Sequence, residues 1–272
     1  MIYLDHNATT PLAPRVRAAM LPALDALYGN PSSVHEAGRL ARNALDDARR
    51  QVAALVTVHA RQVIFTGGGT EANNLALKGV VQRHLQEKRR GRILVSAIEH
   101  RAVRAPARDL AALGFAVEEL PANARGEISP DALDARLGPD VILVSVMLAN
   151  NETGVLQDVA AIARKVRAAG AVMHTDAVQA AGKLPVDFNA TGAHLMTLSA
   201  HKLSGPKGVG ALITDGTVDF LPQVTGGGQE AGLRGGTENL IGIIGFGAAA
   251  AIAREMQAAR AAQSLKLRDR LD

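Results

Sequence analysis

The chain has 272 residues, 47% hydrophobic and 21% charged, enough to bury one large core, or one core with a small appendage. Only 3% are aromatic and there is no Trp, so that core is aliphatic, which suits a sheet covered by Ala-rich helices. The formal charge of +4 is modest, and the absence of Cys excludes a disulfide framework, a thiolate metal site and a cysteine nucleophile within these residues.

In chain order, Met1-Ile-Tyr-Leu-Asp5 enters a structured pattern without a charged region followed by an apolar one, and no apolar run is long enough to span a bilayer. A cytoplasmic protein with no membrane contact is expected. Residues 1–13, with Pro11 and Pro14 as breakers, read as an arm outside the core. An amphipathic helix follows, with Leu40, Ala44, Ala48, Val52 and Leu55 at one-turn spacing. Strand runs then alternate with helical patterns: Gln62 to Thr66, Arg92 to Ser96, Ala116 to Leu120, Val141 to Met147, Ala171 to Asp176, Met196 to Ser199 and Val209 to Thr214. This rhythm predicts an α/β fold with a mostly parallel central sheet and helices on both faces. The basic run Lys88, Arg89, Arg90 and Arg92 reads as a solvated helix end, and with no interleaved aromatics it predicts no nucleic-acid partner. One domain is expected over residues 14–250. From Gly247 the pattern is helical, with Ile252, Met256, Leu267 and Leu271 apolar and no Gly or Pro stop, so residues 251–272 are expected to end inside or just after a helix.

Three segments carry chemistry. Thr66-Gly-Gly-Gly-Thr-Glu-Ala-Asn-Asn74 follows a strand and opens a helix. Glycines let backbone approach an anion, the helix start offers free N–H groups, and Thr70 adds a hydroxyl. Gly67, Gly69 and Ala72 also satisfy the dinucleotide pattern G-x-G-x-x-A, with Glu87 near the distance of a ribose-binding acid, and a plain strand-to-helix turn is the third reading. The second segment, Val172-Met-His-Thr-Asp176, is a strand ending in a carboxylate, with Gln179 three residues on. Asp176 there can pair with a protonated pyridine nitrogen and Gln179 with a phenolic ring oxygen, or Asp176 can simply cap a helix. The third, Leu198-Ser-Ala-His-Lys202-Leu-Ser-Gly-Pro-Lys-Gly208, sets a lysine directly after a strand. A lysine amine whose pKa is lowered attacks carbonyls, and Ser199 and His201 can supply further phosphate contacts, whereas Lys207 reads as a surface lysine.

Together with Tyr3-Leu-Asp-His-Asn-Ala-Thr-Thr-Pro11, Gly29-Asn-Pro-Ser-Ser33, Glu99-His100, Ala149-Asn-Asn-Glu-Thr-Gly154 and Arg234-Gly-Gly-Thr-Glu-Asn239, these segments resemble the large domain of the cysteine desulfurases. That group lies in the class V aminotransferase-like branch of fold-type I enzymes dependent on pyridoxal phosphate (PLP). The resemblance covers nearly the whole chain. It implies Lys202 as the Schiff-base lysine, Asp176 as the pyridinium partner and Gln179 on the ring oxygen. Gly69, Thr70, Ser199 and His201 would hold the phosphate. His100 would stack on the ring and assist proton transfer, Asn151 would sit near the ring and the substrate carboxylate, and Thr237 would reach the phosphate of a neighbouring subunit, which implies a homodimer. No metal is implied.

The implied substrate is L-cysteine, converted to L-alanine while sulfur passes as a persulfide to acceptors such as an iron-sulfur scaffold protein. In the family a cysteine on a loop of a C-terminal small domain takes the sulfur. This chain has no Cys. It is therefore expected to be truncated before that domain, with residues 251–272 starting the connecting helix, and to be unable to complete persulfide formation. Ala231 stands where the family often has Arg, and Gly69 and Gly236 where Ala or Ser is common. Another class V enzyme, such as a selenocysteine lyase or an aminotransferase, and a non-catalytic PLP-binding dimerisation module remain as alternatives.

Overall fold

Seven short runs, most of them rich in Val, Ile and Leu, pair into one sheet in the computed structural model, which describes residues 2–270. They are β1 (Val63–Thr66), β2 (Arg92–Ser96), β3 (Ala116–Leu120), β4 (Val141–Ser145), β5 (Val172–Asp176), β6 (Leu195–Ser199) and β7 (Gly210–Thr214). Each lies within two residues of its expected run. The order is β1-β7-β6-β5-β4-β2-β3. β2, β3, β4, β5 and β6 pair in parallel, and β7 is antiparallel to both β1 and β6. Only residues 200–209 separate β6 from β7, too few for the crossover that a parallel partner needs, so β7 returns alongside β6.

The helices are α1 (Pro14–Ala26), α2 (Glu36–Leu55), α3 (Gly69–Gln86), α4 (Arg101–Ala112), α5 (Pro130–Asp134), α6 (Val159–Ala168), α7 (Phe188–Thr191) and α8 (Leu240–Arg268). Alternation along the strands gives the sheet two buried faces. Phe65, Leu94, Met196 and Ile213 pack with α1, α2, α6 and α8, whereas Ile64, Ile93, Val95 and Leu212 pack with α3 and α4. Helices on both faces explain why β1, β2, β4 and β7 read as nearly continuous apolar runs, whereas the edge strand β3 carries Glu118 and Glu119.

Two expectations shift. The buried stripe of α2 is Ala41, Leu45, Ala48 and Val52, and Leu40 is 50% exposed. The stripe is aimed at α8, which approaches so closely that a Cβ on Gly247 would lie 2.7 Å from Ala48 Cα. α8 itself, 29 residues, is long and apolar enough by length and composition to cross a membrane, contrary to the reading of the sequence. Its apolar residues instead join the core through Ala253, and the described residues beyond are exposed or half-buried. α8 runs unbroken past residue 250. The expectations for Met1, Leu271 and Asp272 lie outside the described residues. The basic run divides among local partners: Arg89 pairs with Glu87, Arg90 lies 5.2 Å over the Phe115 ring, and Arg92 bridges Asp140 and Glu118.

Candidate functional site

The C-terminal ends of β1, β2, β4, β5 and β6 open on one edge of the sheet, the edge where open α/β sheets gather their ligands. β5 ends in Asp176. β6 ends in Ser199 and passes into a 3-10 turn, Ala200–Lys202, that carries His201 and Lys202. β1 gives way to the glycine turn that starts α3, β2 leads to His100 at the start of α4, and β4 leads to Asn150 and Asn151. One cleft at this edge brings together Gly69, Thr70, Ser199, His201 and Lys202. His100, Asn151, Asp176 and Gln179 line the same cleft. Thr237 does not: it is exposed beside a separate hollow with Arg234 and Asn239.

At one end of the cleft lies the start of α3. Its N-cap, Gly68, has no side chain to satisfy the first helical N–H groups, so they stay open to an anion. The turn is braced from outside: Gly67 N–H donates to Glu71 Oε2 at 2.9 Å, and Arg234 Nε donates to Glu71 Oε1 at 2.9 Å. Gly210 at the start of β7 lies beneath it, where a Cβ would come within 2.5 Å of Gly68 carbonyl carbon. The dinucleotide reading fails on geometry. Glu87 caps the far end of the 18-residue α3, about 27 Å along the helix from the turn.

Asp176 forms the floor and is 5% exposed. Its Oδ1 accepts from Val178 N–H at 2.9 Å and its Oδ2 from Asn73 Nδ2 at 2.8 Å. Burial pushes its carboxyl above the usual range, opposed by those two donors and by the nearby charge of Lys202. No helix follows for Asp176 to cap, because residues 177–180 form turns. Among the described residues Asp176 has no ion-pair partner, so its remaining acceptor capacity suits a cationic N–H. Asn73, which orients Asp176, escaped the sequence reading, although it follows Thr70 by one helical turn. His174, on the same strand, bonds Ser145 Oγ and Thr197 Oγ1 and is driven by burial to about 3, a neutral cross-link between β4, β5 and β6.

Lys202 is half-buried, and its Nζ donates to the carbonyl of Asn7 and, at 2.8 Å, to that of Ala8. Burial lowers its pKa, and Asp176 and Asp5 act against that. Gln179 Nε2 donates to the same Asn7 carbonyl at 2.9 Å. His100 both caps α4 and lines the cleft. Its Nδ1 accepts from Ala102 N–H at 3.0 Å, which assigns the proton of a neutral ring to Nε2. In the Asn-Asn pair, Asn150 makes the turn by accepting from the N–H groups of Glu152 and Thr153, and Asn151 faces the cleft. The arm is stitched to the site: Thr10 N–H donates to the His201 carbonyl at 3.1 Å, Thr9 Oγ1 meets His201 Nδ1 at 3.1 Å, and Ala8 lines the cleft. Lys207 is exposed, and Ala231 is exposed at φ 57 in a turn outside the cleft.

An amine of lowered pKa, a buried carboxyl without a counter-ion and an open helix start, spread along one cleft, suit a flat cationic ring that carries a carbonyl and a phosphate. The model of the family described as Aminotransferase class-V matches residues 2–271. A cysteine desulfurase of Frankia sp. (strain EuIK1) is 48% identical over 95% of this chain and 64% of its own length. The cysteine desulfurase IscS of Shewanella sp. (strain MR-4) is 45% identical over 99% of this chain and 68% of its own. The chain thus spans about two thirds of the length of these curated relatives. Among solved structures, a NifS-like protein superposes with a TM-score of 0.96 at 38% identity, covering 99% of this chain and 74% of that one. SspA in complex with cysteine gives 0.88 at 35%, covering 92% and 72%.

Proposed function

Because the chain belongs to the class-V aminotransferase family, and within it to the cysteine desulfurases, we propose that it forms the PLP-binding part of an enzyme that takes sulfur from L-cysteine. The observation that carries this reading is the convergence of Lys202, Asp176, Gln179 and the open start of α3 in one cleft. PLP, when bound, supplies an electron sink for charge that develops at the alpha carbon of an amino acid.

The protein's own groups do the rest. The N–H groups of the glycine turn, with Thr70, Ser199 and His201, would hold the phosphate. Asp176 would keep a proton on the ring nitrogen, and Asn73 keeps Asp176 in place. Lys202 would hold the cofactor through an amine whose lowered pKa favours attack on a carbonyl, and its Nζ is the group that would move a proton at the alpha carbon. His100 and Asn151, which line the same cleft, would cover the ring and meet the substrate carboxylate. The sulfur must then pass to a thiol, and these residues contain none. That step, and delivery to an acceptor such as an iron-sulfur scaffold, therefore lies outside what this chain performs by itself. Thr237 opens on a separate hollow, which supports a homodimer in which it serves the phosphate site of the second copy.

Borohydride reduction of the protein supplied with PLP tests the reading. The adduct should map to Lys202 and vanish in Lys202→Ala, and the absorbance of bound PLP should change on addition of L-cysteine. An adduct that survives in Lys202→Ala would sink the assignment.

A further inference from the structure

A glutamine carboxamide has two chemically opposite ends of the same size, and only its partners decide which way it points. In Gln179, Oε1 lies 2.6 Å from Lys183 Nζ and Nε2 donates to the Asn7 carbonyl at 2.9 Å. An ammonium offers donors alone, so the end of Gln179 that meets Lys183 must be the oxygen. Lys183 also donates to Asn7 Oδ1 at 3.0 Å, and Lys202 Nζ donates to the Asn7 carbonyl. One acceptor oxygen, that of Asn7, is therefore held by Gln179 and Lys202 together. The position of Lys183 is set locally, because Lys183 and Leu184 N–H both bond the Ala180 carbonyl and keep the Ala177–Leu184 segment in consecutive turns. Burial and repulsion from Lys202 lower the Lys183 pKa, which marks the two amines as close neighbours.

We propose that Lys183 is a positioning residue: it holds the Gln179 carboxamide with its N–H end toward the cleft, so that the site presents a donor to an acceptor oxygen placed beside Lys202. The inference rests on the PLP reading of the cleft, where that acceptor is the ring oxygen of the cofactor. Without Lys183, the Gln179 carboxamide is held only by its bond to the Asn7 carbonyl, an acceptor it shares with Lys202, and presents its donor end less firmly. Firm selection of the donor end is thus assigned to the Asn7 carbonyl together with a side chain that does not line the cleft.

The test uses the protein with PLP and compares Lys183→Met, Lys183→Arg, Gln179→Ala and the Lys183→Met/Gln179→Ala pair. Two readouts serve: the PLP dissociation constant by equilibrium dialysis, and the absorption maximum of bound PLP, which reports on hydrogen bonding to the ring and not on the amount of folded protein. Lys183→Met should weaken binding by about tenfold, the worth of one good hydrogen bond, and move the absorption maximum. Lys183→Arg should restore both. In the Gln179→Ala background, Lys183→Met should change neither further, because a residue acting through Gln179 has nothing left to orient. A Lys183→Met protein identical to wild type in both readouts overturns the inference alone, as does a full effect added to that of Gln179→Ala. Wild-type protein that takes up no PLP overturns the reading of the cleft as well.

Discussion

Replacing Glu99 by Gln probes a carboxyl buried between two site-bearing loops. Glu99 is 5% exposed; its Oε1 accepts from Ser96 Oγ at 2.8 Å and Met147 N–H at 2.5 Å, and its Oε2 has no partner. Burial, aided by repulsion from Asp176, raises its carboxyl from 4.5 to about 8. The group is thus neutral in the folded protein and ionised in the unfolded chain across that interval. A pKa raised by folding contributes stability that is fully present below the unfolded value and is lost as pH rises through the folded value. At 1.36 kcal/mol for each pH unit, the loss approaches about 5 kcal/mol by pH 8 and then levels off. Gln keeps the acceptor for Ser96 and Met147 but cannot ionise. Its amide N–H₂ replaces the unpartnered oxygen, which adds a cost of about 1–3 kcal/mol that does not vary with pH. Urea unfolding of cofactor-free wild type and Glu99→Gln between pH 5 and pH 9 measures the difference. Wild type should lose stability relative to the variant by several kcal/mol over the interval, most of it below pH 8. A difference that stays the same at pH 5 and pH 9 would refute the claim that Glu99 is held neutral.

Gly210→Ala should destabilise the protein by about 1–3 kcal/mol and weaken PLP uptake, because the new Cβ meets backbone atoms, Gly68 carbonyl carbon at 2.5 Å and Leu198 oxygen at 2.7 Å, which cannot swing aside. Unchanged denaturation and PLP titration curves would mean that the turn does not rest on β7. Arg49→Met should cost about 3–5 kcal/mol in urea unfolding, since it strands Glu230, whose side chain is 2% exposed and is held by Arg49 at 2.6 and 2.7 Å. A loss below about 1 kcal/mol would place the pair with ordinary surface bridges.

The strands and the order of the site were legible because their causes are local. Seven β-branched runs carry their own pattern, and Gly67 to Thr70, Asp176 and Lys202 stand at strand ends, where an α/β sheet collects ligands. Asn73, Glu99 and Lys183 were not legible as members of the site. Each acts through a partner brought near by folding: Asn73 through Asp176, 103 residues away, Glu99 through Met147, 48 residues away, and Lys183 through Gln179 and through Asn7 on the arm. The arm itself reads as an appendage, yet its carbonyls meet Lys202.

The same division holds for packing. Periodicity identifies α2 as amphipathic but does not say which of two neighbouring stripes is buried; the close approach of α8 at Gly247 decides for Ala41, Leu45 and Ala48 over Leu40. Composition alone makes α8 a candidate membrane helix, and its contacts with α1 and α2 make it a core helix up to Ala253. By itself the amino-acid sequence determined the alternation of strands and helices, the glycine turn and the motifs of the family, all of which depend on neighbours along the chain. Tertiary structure alone decided which N–H, carboxyl and amine face one another across the cleft, because burial and hydrogen-bond partners come from residues that meet only when the sheet has assembled.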